Sequence, residues 1–411
     1  MNLLFLHQNF PGQFRHIAAH FAADQGNRVV AIGEASNLKN ANGMDPRIAL
    51  HTYPLPKPPS PTTHRFVQNY EAAVHRGLTV ASICEQLKTD GFVPDLIMAH
   101  PGWGEALFMR DTFPAARLVQ HAEFFYHPAG ADVGFDPEFP PAADSALRLR
   151  TKNTTQLMSM EQADLLIAPT EWQKSRFPAV LQDRIQVVHD GIDTALVQPN
   201  AATRITLARA GISLDAGDEV VTYVARNLEP YRGFHVFMRA LPLLLKLRPA
   251  ARVLIVGGDA VSYGSAPADG RTWRTTMLDE VRAGLDPGRV HFLGKLPYAG
   301  YLQVLQVSSV HAYLTYPFVL SWSLLEAMSA GCMVVGSRTA PVEEVISHGT
   351  NGWLTDFFDH RTLAETLAEA LEQRSRLGEL RQAARQTIVE RFDLHGVCLP
   401  RQLALLQTLA N

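Results

Sequence analysis

The chain has 411 residues, of which 46% are apolar and 19% charged, and its 37 basic and 40 acidic residues leave a net charge of −3. That length supplies two cores of ordinary domain size, and a charge so near neutral excludes a chain built to coat nucleic acid or to cling electrostatically to an anionic membrane. Before residue 195 there are 16 basic and 20 acidic residues, and after it 21 and 20, so neither half is a polycation.

Met1 to Leu6 reads as a buried strand, too short for a signal core or a membrane span. No later stretch approaches the roughly 18 uninterrupted apolar residues that spanning needs, which leaves at most a weak peripheral membrane contact. The strand runs into Asn9-Phe10-Pro11-Gly12-Gln13, where Asn9 can cap a helix, Pro11 suits its first turn and Gly12 lets backbone N–H groups approach a ligand. Such a helix start attracts phosphate, although a capped helix without a ligand accounts for the segment equally well. A helix over Phe14 to Ala23 and a strand over Arg28 to Ile32 follow. His51 to Thr63 then carries Pro54, Pro56, Pro58, Pro59 and Pro61, which predicts an extended surface loop, either a plain connection or a wall over a ligand cleft. Beyond a helix at Arg65 to Lys88, the strand Leu96 to Ala99 ends in His100, and the strand Arg117 to Gln120 ends in His121. Glu123 and Tyr126 come directly after; with Phe124 and Phe125 they could line a site or belong to a core. A helix at Leu147 to Glu161 and strands at Leu165 to Ala168 and Ile185 to Val188 complete a doubly wound α/β domain.

Thr194 to Asp218 has little strand character. The rhythm resumes with strands at Val220 to Ala225, Arg252 to Val256, Val290 to Leu293, Val310 to Leu314 and Met333 to Gly336, separated by helical patterns at Phe234 to Leu247, Arg274 to Ala283 and Ser323 to Ala330. This predicts a second doubly wound domain, followed by a helical tail over Leu363 to Arg391 and Leu399 to Leu409. Open parallel sheets place ligands at the carboxyl ends of their strands. No G-x-G-x-x-G follows a strand, and Gly294-Lys295-Leu296 lacks the other elements of a P-loop, so neither a dinucleotide nor an ATPase motif is present. Instead Arg226 emerges at the end of a strand and Arg232 begins the next helix. Two such guanidinium groups could converge on one anion, as a departing diphosphate requires. After Leu314, the loop before Ser323 could offer backbone N–H groups of Val319 and Leu320 and the Ser321 hydroxyl. Glu326, an acid in the first turn of an apolar helix, needs hydrogen-bond donors that vicinal sugar hydroxyls would supply. Cys84, Cys332 and Cys398 are odd in number and far apart, which supports neither a disulfide framework nor a zinc site and points to a reducing cytoplasm.

The order of elements, His7-Gln8-Asn9-Phe10-Pro11-Gly12, Val188-His189-Asp190-Gly191-Ile192-Asp193, Arg226 with Arg232-Gly233, Leu254 to Gly258, and Leu325-Glu326-Ala327-Met328-Ser329-Ala330-Gly331 resemble a retaining family-4 glycosyltransferase of GT-B fold. The resemblance implies two Rossmann-like domains facing a cleft. It places an acceptor-binding domain at residues 1–195, a linker at 196–218, a nucleotide-sugar domain at 219–385, and a C-terminal segment at 386–411 that packs back on the first domain. It implies that Arg226 and Arg232 hold the donor diphosphate and that Glu326 holds the ribose. Gly12, Gly294, Lys295, Leu296, Val319, Leu320 and Ser321 also contact the donor, and His121 contacts its sugar. Asn9, His100, Glu123 and Tyr126 are expected on the acceptor side. The family's first motif glutamate is replaced here by Phe318, which puts the usual sugar contacts in doubt. No Asp-x-Asp occurs, so no metal and no resident cofactor are expected. The implied reaction is front-face transfer with retention, to a glycan, lipid-linked, protein or small-molecule acceptor. The acidic first domain favours a soluble acceptor. A nucleotide-sugar 2-epimerase of the same architecture and a non-catalytic glycan or nucleotide-sugar binding subunit are the alternatives.

Overall fold

Strands covered by helices on both faces must be apolar on both sides, and the short apolar runs of this chain meet that condition. The computed structural model describes residues 1–38, 44–55, 57–208 and 210–410, so Pro56 of the proline-rich segment, Arg209 of the expected linker and Asn411 lie outside the described residues. The chain divides into two units, Met1–Asp190 with Cys398–Asn411, and Gly191–Val397. The return to the first unit thus comes at residue 398 rather than 386, and the expected linker belongs to the second unit.

In the first unit, β1 (Asn2–Leu6), β2 (Arg28–Glu34), β3 (Ala49–Tyr53), β4 (Leu96–Ala99), β5 (Arg117–His121), β6 (Leu165–Ala168) and β7 (Ile185–Val187) form one parallel sheet. Its order is β3-β2-β1-β4-β5-β6-β7. The winding reverses between β1 and β4, so the ligand position of such a sheet lies beyond Leu6 and Ala99. One face packs Leu3, Phe5, Phe14 and Ile17 with Leu406 of the helix Leu399–Ala410; the other packs Leu4, Leu6, Val80 and Leu118. The final helix is also tied by Gln402 Nε2, which donates to the His189 carbonyl at 3.0 Å.

Two expectations need correction here. His51 to Tyr53 belong to the edge strand β3, because the prolines begin only at Pro54 and leave three ladder-competent residues before them. The helix expected over Leu147 to Glu161 is two helices, Ser145–Lys152 and Thr154–Glu161. Between them Asn153 turns its side chain to the backbone of Tyr126, accepting from its N–H at 3.2 Å and donating to its carbonyl at 2.9 Å.

The second unit opens with an antiparallel hairpin, β8 (Arg204–Leu207) and β9 (Ile212–Asp215), in the stretch expected to lack strands. Ile205, Leu207 and Ile212 pack beside Leu214 and Val220, an apolar side too short to stand out in the sequence. The main sheet contains β10 (Val220–Asn227), β11 (Arg252–Gly258), β12 (Val290–Gly294), β13 (Val310–Tyr313), β14 (Met333–Ser337) and β15 (Trp353–Thr355). It is parallel with order β12-β11-β10-β13-β14-β15, so its reversal falls between β10 and β13. The tail is helical as expected, its stretch from Leu363 to Arg391 lying in two helices, His360–Glu372 and Gly378–Phe392. No helix among the described residues is long and apolar enough to cross a membrane.

Candidate functional site

Each reversal point carries a cluster of polar side chains. In the first unit His7 follows β1, His100 follows β4 and His121 ends β5; all three are buried. Backbone donors fix two of the tautomers. The Asn9 N–H donates to His7 Nδ1 at 3.0 Å, which leaves His7 Nε2–H to donate to Gln13 Oε1 at 2.8 Å. The Gly102 N–H donates to His100 Nδ1 at 3.1 Å, which leaves His100 Nε2–H to donate to Glu123 Oε2 at 3.3 Å. Gln13 Nε2 closes the chain on Glu123 Oε1 at 2.6 Å. Both oxygens of Glu123 are thereby satisfied. Burial would raise its pKa, but the hydrogen bond from His100 and the surrounding imidazoles hold it down to about 2. Burial and the neighbouring His100 pull His7 down to about 3 and His121 to about 4, so both rings are neutral near pH 7. His121 Nε2 is buried without a hydrogen-bond partner. A neutral imidazole with an unspent ring nitrogen at a strand end suits a hydroxyl group.

Beside this cluster lies a cavity of about 310 Å³, bordered by Arg76, Trp103, His121, Glu123, Tyr126 and Lys152 among others. Trp103 stacks on His100 with ring centroids 4.1 Å apart. The expected residues His100, His121, Glu123 and Tyr126 are therefore brought together, and Phe124, although buried, also borders the cavity. Phe125 packs on Phe177 instead. Asn9 and Gly12 take other roles than expected. Asn9 caps no helix; its N–H orients His7. Gly12 has φ +46°, and a Cβ there would stand 2.5 Å from His7 Cε1, so the glycine makes room for the imidazole. Gln13, Trp103, Arg76 and Lys152 escaped the sequence reading, since none sits at a strand end.

In the second unit Arg232 ends the short turn Pro230–Arg232 rather than beginning a helix. Gly233, at φ +66°, lets the chain turn into the helix Phe234–Leu247. The Arg232 side chain is buried and reaches across the reversal point: Nη1 donates to Thr315 Oγ1 at 2.8 Å and to the Val319 carbonyl at 3.0 Å. Its guanidinium lies 5.3 Å from the Tyr263 ring centroid and 5.9 Å from that of Phe318. All these partners are neutral, and among the described residues no carboxylate lies within ion-pair distance. Arg226, by contrast, is exposed at the end of β10. Glu229, whose place in the loop after β10 was not singled out, is buried and accepts from the backbone N–H groups of Ser262, Tyr263 and Gly264 at 3.0 to 3.3 Å. It thus pins the loop that sets Tyr263 beside Arg232.

Glu326 is the fifth residue of the helix Trp322–Ser329, beyond its first turn. It does receive two hydroxyl donors, but from Tyr298 at 2.7 Å and Tyr301 at 2.6 Å, three residues apart on one helix. Ser321 is committed within the protein: its N–H donates to the Tyr313 hydroxyl at 2.9 Å and its Oγ caps Ser323 N–H at 3.3 Å. The Leu320 side chain packs in the core, and Leu296 packs at the edge of the core. Gly294 stands in open space at φ +67°, and Lys295 is exposed, its side chain lying over Gly258.

Residues 25–197 match the family model described as Glycosyl transferase family 4 group, and residues 205–387 match Glycosyl transferases group 1. A D-inositol 3-phosphate glycosyltransferase of Mycolicibacterium vanbaalenii is 32% identical over 217 residues, covering 52% of this chain and 46% of that protein. One of Corynebacterium efficiens is 32% identical over 204 residues, covering 48% and 46%. The chain thus spans about half the length of the curated relatives it matches. Among solved structures, Anabaena HepE in complex with UDP and glucose superposes with a TM-score of 0.67 at 19% identity, covering 100% of this chain and 99% of that one. Sucrose-phosphate synthase of Thermosynechococcus elongatus gives 0.71 at 17% identity, with coverage of 100% and 99%. These likenesses establish the fold, two Rossmann-like units of GT-B type.

Proposed function

Because the chain belongs to the family-4 glycosyltransferases of GT-B fold, we propose that it transfers a sugar from a nucleoside-diphosphate sugar to a hydroxyl-bearing acceptor with retention of configuration. One observation carries this reading: Arg232, a buried cation with only neutral partners, at the reversal point of the second sheet. A charge taken out of water without a counter-ion is costly unless a ligand supplies one, so the position is prepared for an anion. A diphosphate fits it, with the exposed Arg226 closing from solvent. Structural neighbours solved with UDP and glucose and with UDP-glucose support such a donor.

In the proposed reaction the bond between the anomeric carbon and the diphosphate oxygen breaks while the acceptor oxygen adds on the same face. The leaving phosphate oxygen takes the acceptor's proton. The two arginines stabilise the charge that develops on the diphosphate, the largest contribution expected from fixed charges in a transfer of this kind. Neutral His121 accepts or donates a hydrogen bond at a sugar hydroxyl. The absence of Asp-x-Asp from the sequence supports a metal-independent reaction, with the arginines in place of a cation. The odd number and wide separation of Cys84, Cys332 and Cys398, all three buried, support a reducing, cytoplasmic setting.

Product analysis with purified chain and a panel of nucleotide sugars tests the reading: free nucleoside diphosphate plus a glycoside of unchanged anomeric configuration is expected, at a rate that EDTA leaves intact. An epimerised nucleotide sugar in place of these products would establish the isomerase instead.

A further inference from the structure

The proposed reaction leaves unused a group of polar side chains packed beneath the loop 100–105. Glu34 ends β2, Tyr53 ends β3, Arg76 lies on the helix Gln68–Thr89, and Glu105 closes the loop itself. Tyr53 and Glu105 are fully buried and Glu34 nearly so. The Tyr53 hydroxyl donates to Glu105 Oε1 at 2.6 Å. Arg76 is ion-paired to both acids, with Nη2 3.5 Å from Glu34 Oε2 and Nε 3.9 Å from Glu105 Oε1, and its Nη1 donates to the Trp103 carbonyl at 2.6 Å. Close backbone packing allows that reach. A Cβ on Gly104, at φ +115°, would stand 2.2 Å from the Ala73 carbonyl oxygen, and one on Gly77 would stand 2.8 Å from the Gly104 carbonyl oxygen, so loop and helix meet backbone to backbone.

Burying ions to hold down a loop is expensive, because desolvation cancels much of the attraction between the charges. Apolar side chains would fasten the loop as firmly; a hydrogen-bonded network adds a single defined position. That position matters for the histidine cluster. Trp103 stacks on the His100 ring, with centroids 4.1 Å and planes 20° apart, and meets His7 edge-on at 5.0 Å. The Gly102 N–H, in the same loop, donates to His100 Nδ1 at 3.1 Å. The loop thus fixes both the plane of the His100 ring and its tautomer, and with them the direction of the Nε2–H that meets Glu123.

We propose that Arg76, Glu105 and Tyr53 are positioning residues: they lock the loop so that Trp103 and Gly102 keep the His100 imidazole aimed at Glu123, and turnover depends on that lock. The bearing on turnover rests on the glycosyltransferase reading; the lock itself does not. Arg76→Met removes every donor to the Trp103 carbonyl, whereas Glu105→Gln keeps an acceptor for Tyr53 and removes a charge facing Arg76.

Near-ultraviolet circular dichroism of the full chain isolates Trp103 as the difference between each protein and the same protein carrying Trp103→Phe. The Trp103 band should be present in the wild type and lost in Arg76→Met and Glu105→Gln, with the far-ultraviolet signal unchanged. In the same variants kcat should fall about ten- to hundredfold, as expected when a site group is slightly misplaced. KM for the nucleotide sugar should stay constant, because Arg232, its proposed anchor, lies in the other unit. Arg76→Lys, which retains a donor for Trp103, should recover part of both the band and kcat. Should Arg76→Met fail to fold, Tyr53→Phe deletes one hydroxyl and keeps the ring in the core; it should weaken band and kcat together. A Trp103 band unchanged in the folded variants would overturn the lock, and a lost band with unchanged kcat would overturn its role in turnover. A wild-type chain that forms no glycoside from any nucleotide sugar would instead overturn the transferase reading, while loss of the band in the variants would still establish the lock.

Discussion

Arg226 and Arg232 are alike in sequence and unlike in the fold, so their replacements should separate. Arg232→Ala removes both an anion ligand and the bridge to Thr315 and Val319; turnover should fall by about two to three orders of magnitude and the melting temperature should fall with it. Arg226→Ala should lower turnover comparably with no change in melting, because its side chain is exposed. Activity within about twofold of wild type for either variant would refute its assignment to the diphosphate. The tyrosines on Glu326 make a third prediction. If ribose hydroxyls compete with Tyr298 and Tyr301 for that carboxylate, Tyr298→Phe should tighten nucleoside diphosphate binding by about two- to tenfold in calorimetry. Weaker binding would show that Tyr298 itself touches the ligand. The histidines set a pH dependence. His7 and His121 have folded pKa values of about 3 and 4 against an ordinary 6.5, so below 6.5 the unfolded chain binds protons that the folded chain refuses. Stability should therefore decline as pH falls from 6.5 through 4 to 3. His121→Gln should flatten the upper part of that decline, and an unchanged pH profile would contradict the burial of a neutral ring.

At the scale of elements, the loop from Thr315 to Ser321 holds most of the second unit's site in place. Phe318 is 5% exposed and packs among Tyr231, Tyr263 and the Arg232 guanidinium. A glutamate introduced there would pair with Arg232 and consume the cation, so Phe318→Glu should weaken nucleoside diphosphate binding; improved activity would mean that the aromatic ring is a decayed motif rather than an adapted one. The strand ends that carry His100, His121 and Arg226 were legible because short apolar runs mark buried parallel strands and the polar residue ending each run faces the ligand side. The partners of those residues were not legible. Gln13 meets Glu123 across 110 positions, and Glu229 meets Ser262 to Gly264 across more than thirty, encounters fixed by topology that no local pattern encodes. Glu326 shows the boundary well: its need for two hydroxyl donors followed from its chemistry, whereas the identity of the donors required the packing of two helices.

At the scale of the molecule, two units with separate cores should melt as two transitions. Nucleoside diphosphate should raise only the transition of Gly191–Val397, which holds Arg226 and Arg232, while acidification from pH 6.5 should lower chiefly that of the unit containing His7 and His121. Calorimetry showing one transition that responds to both would refute this division. The closing helix Leu399–Ala410 gives the first unit an unusual assembly order. Leu399, Leu405, Leu406 and Leu409 pack on the core built around β1, yet a ribosome delivers them only after all of the second unit has been made. Until then the nascent first unit presents an uncovered apolar groove. The second unit has meanwhile emerged whole and can fold without waiting, so the half of the chain synthesised first is the half completed last.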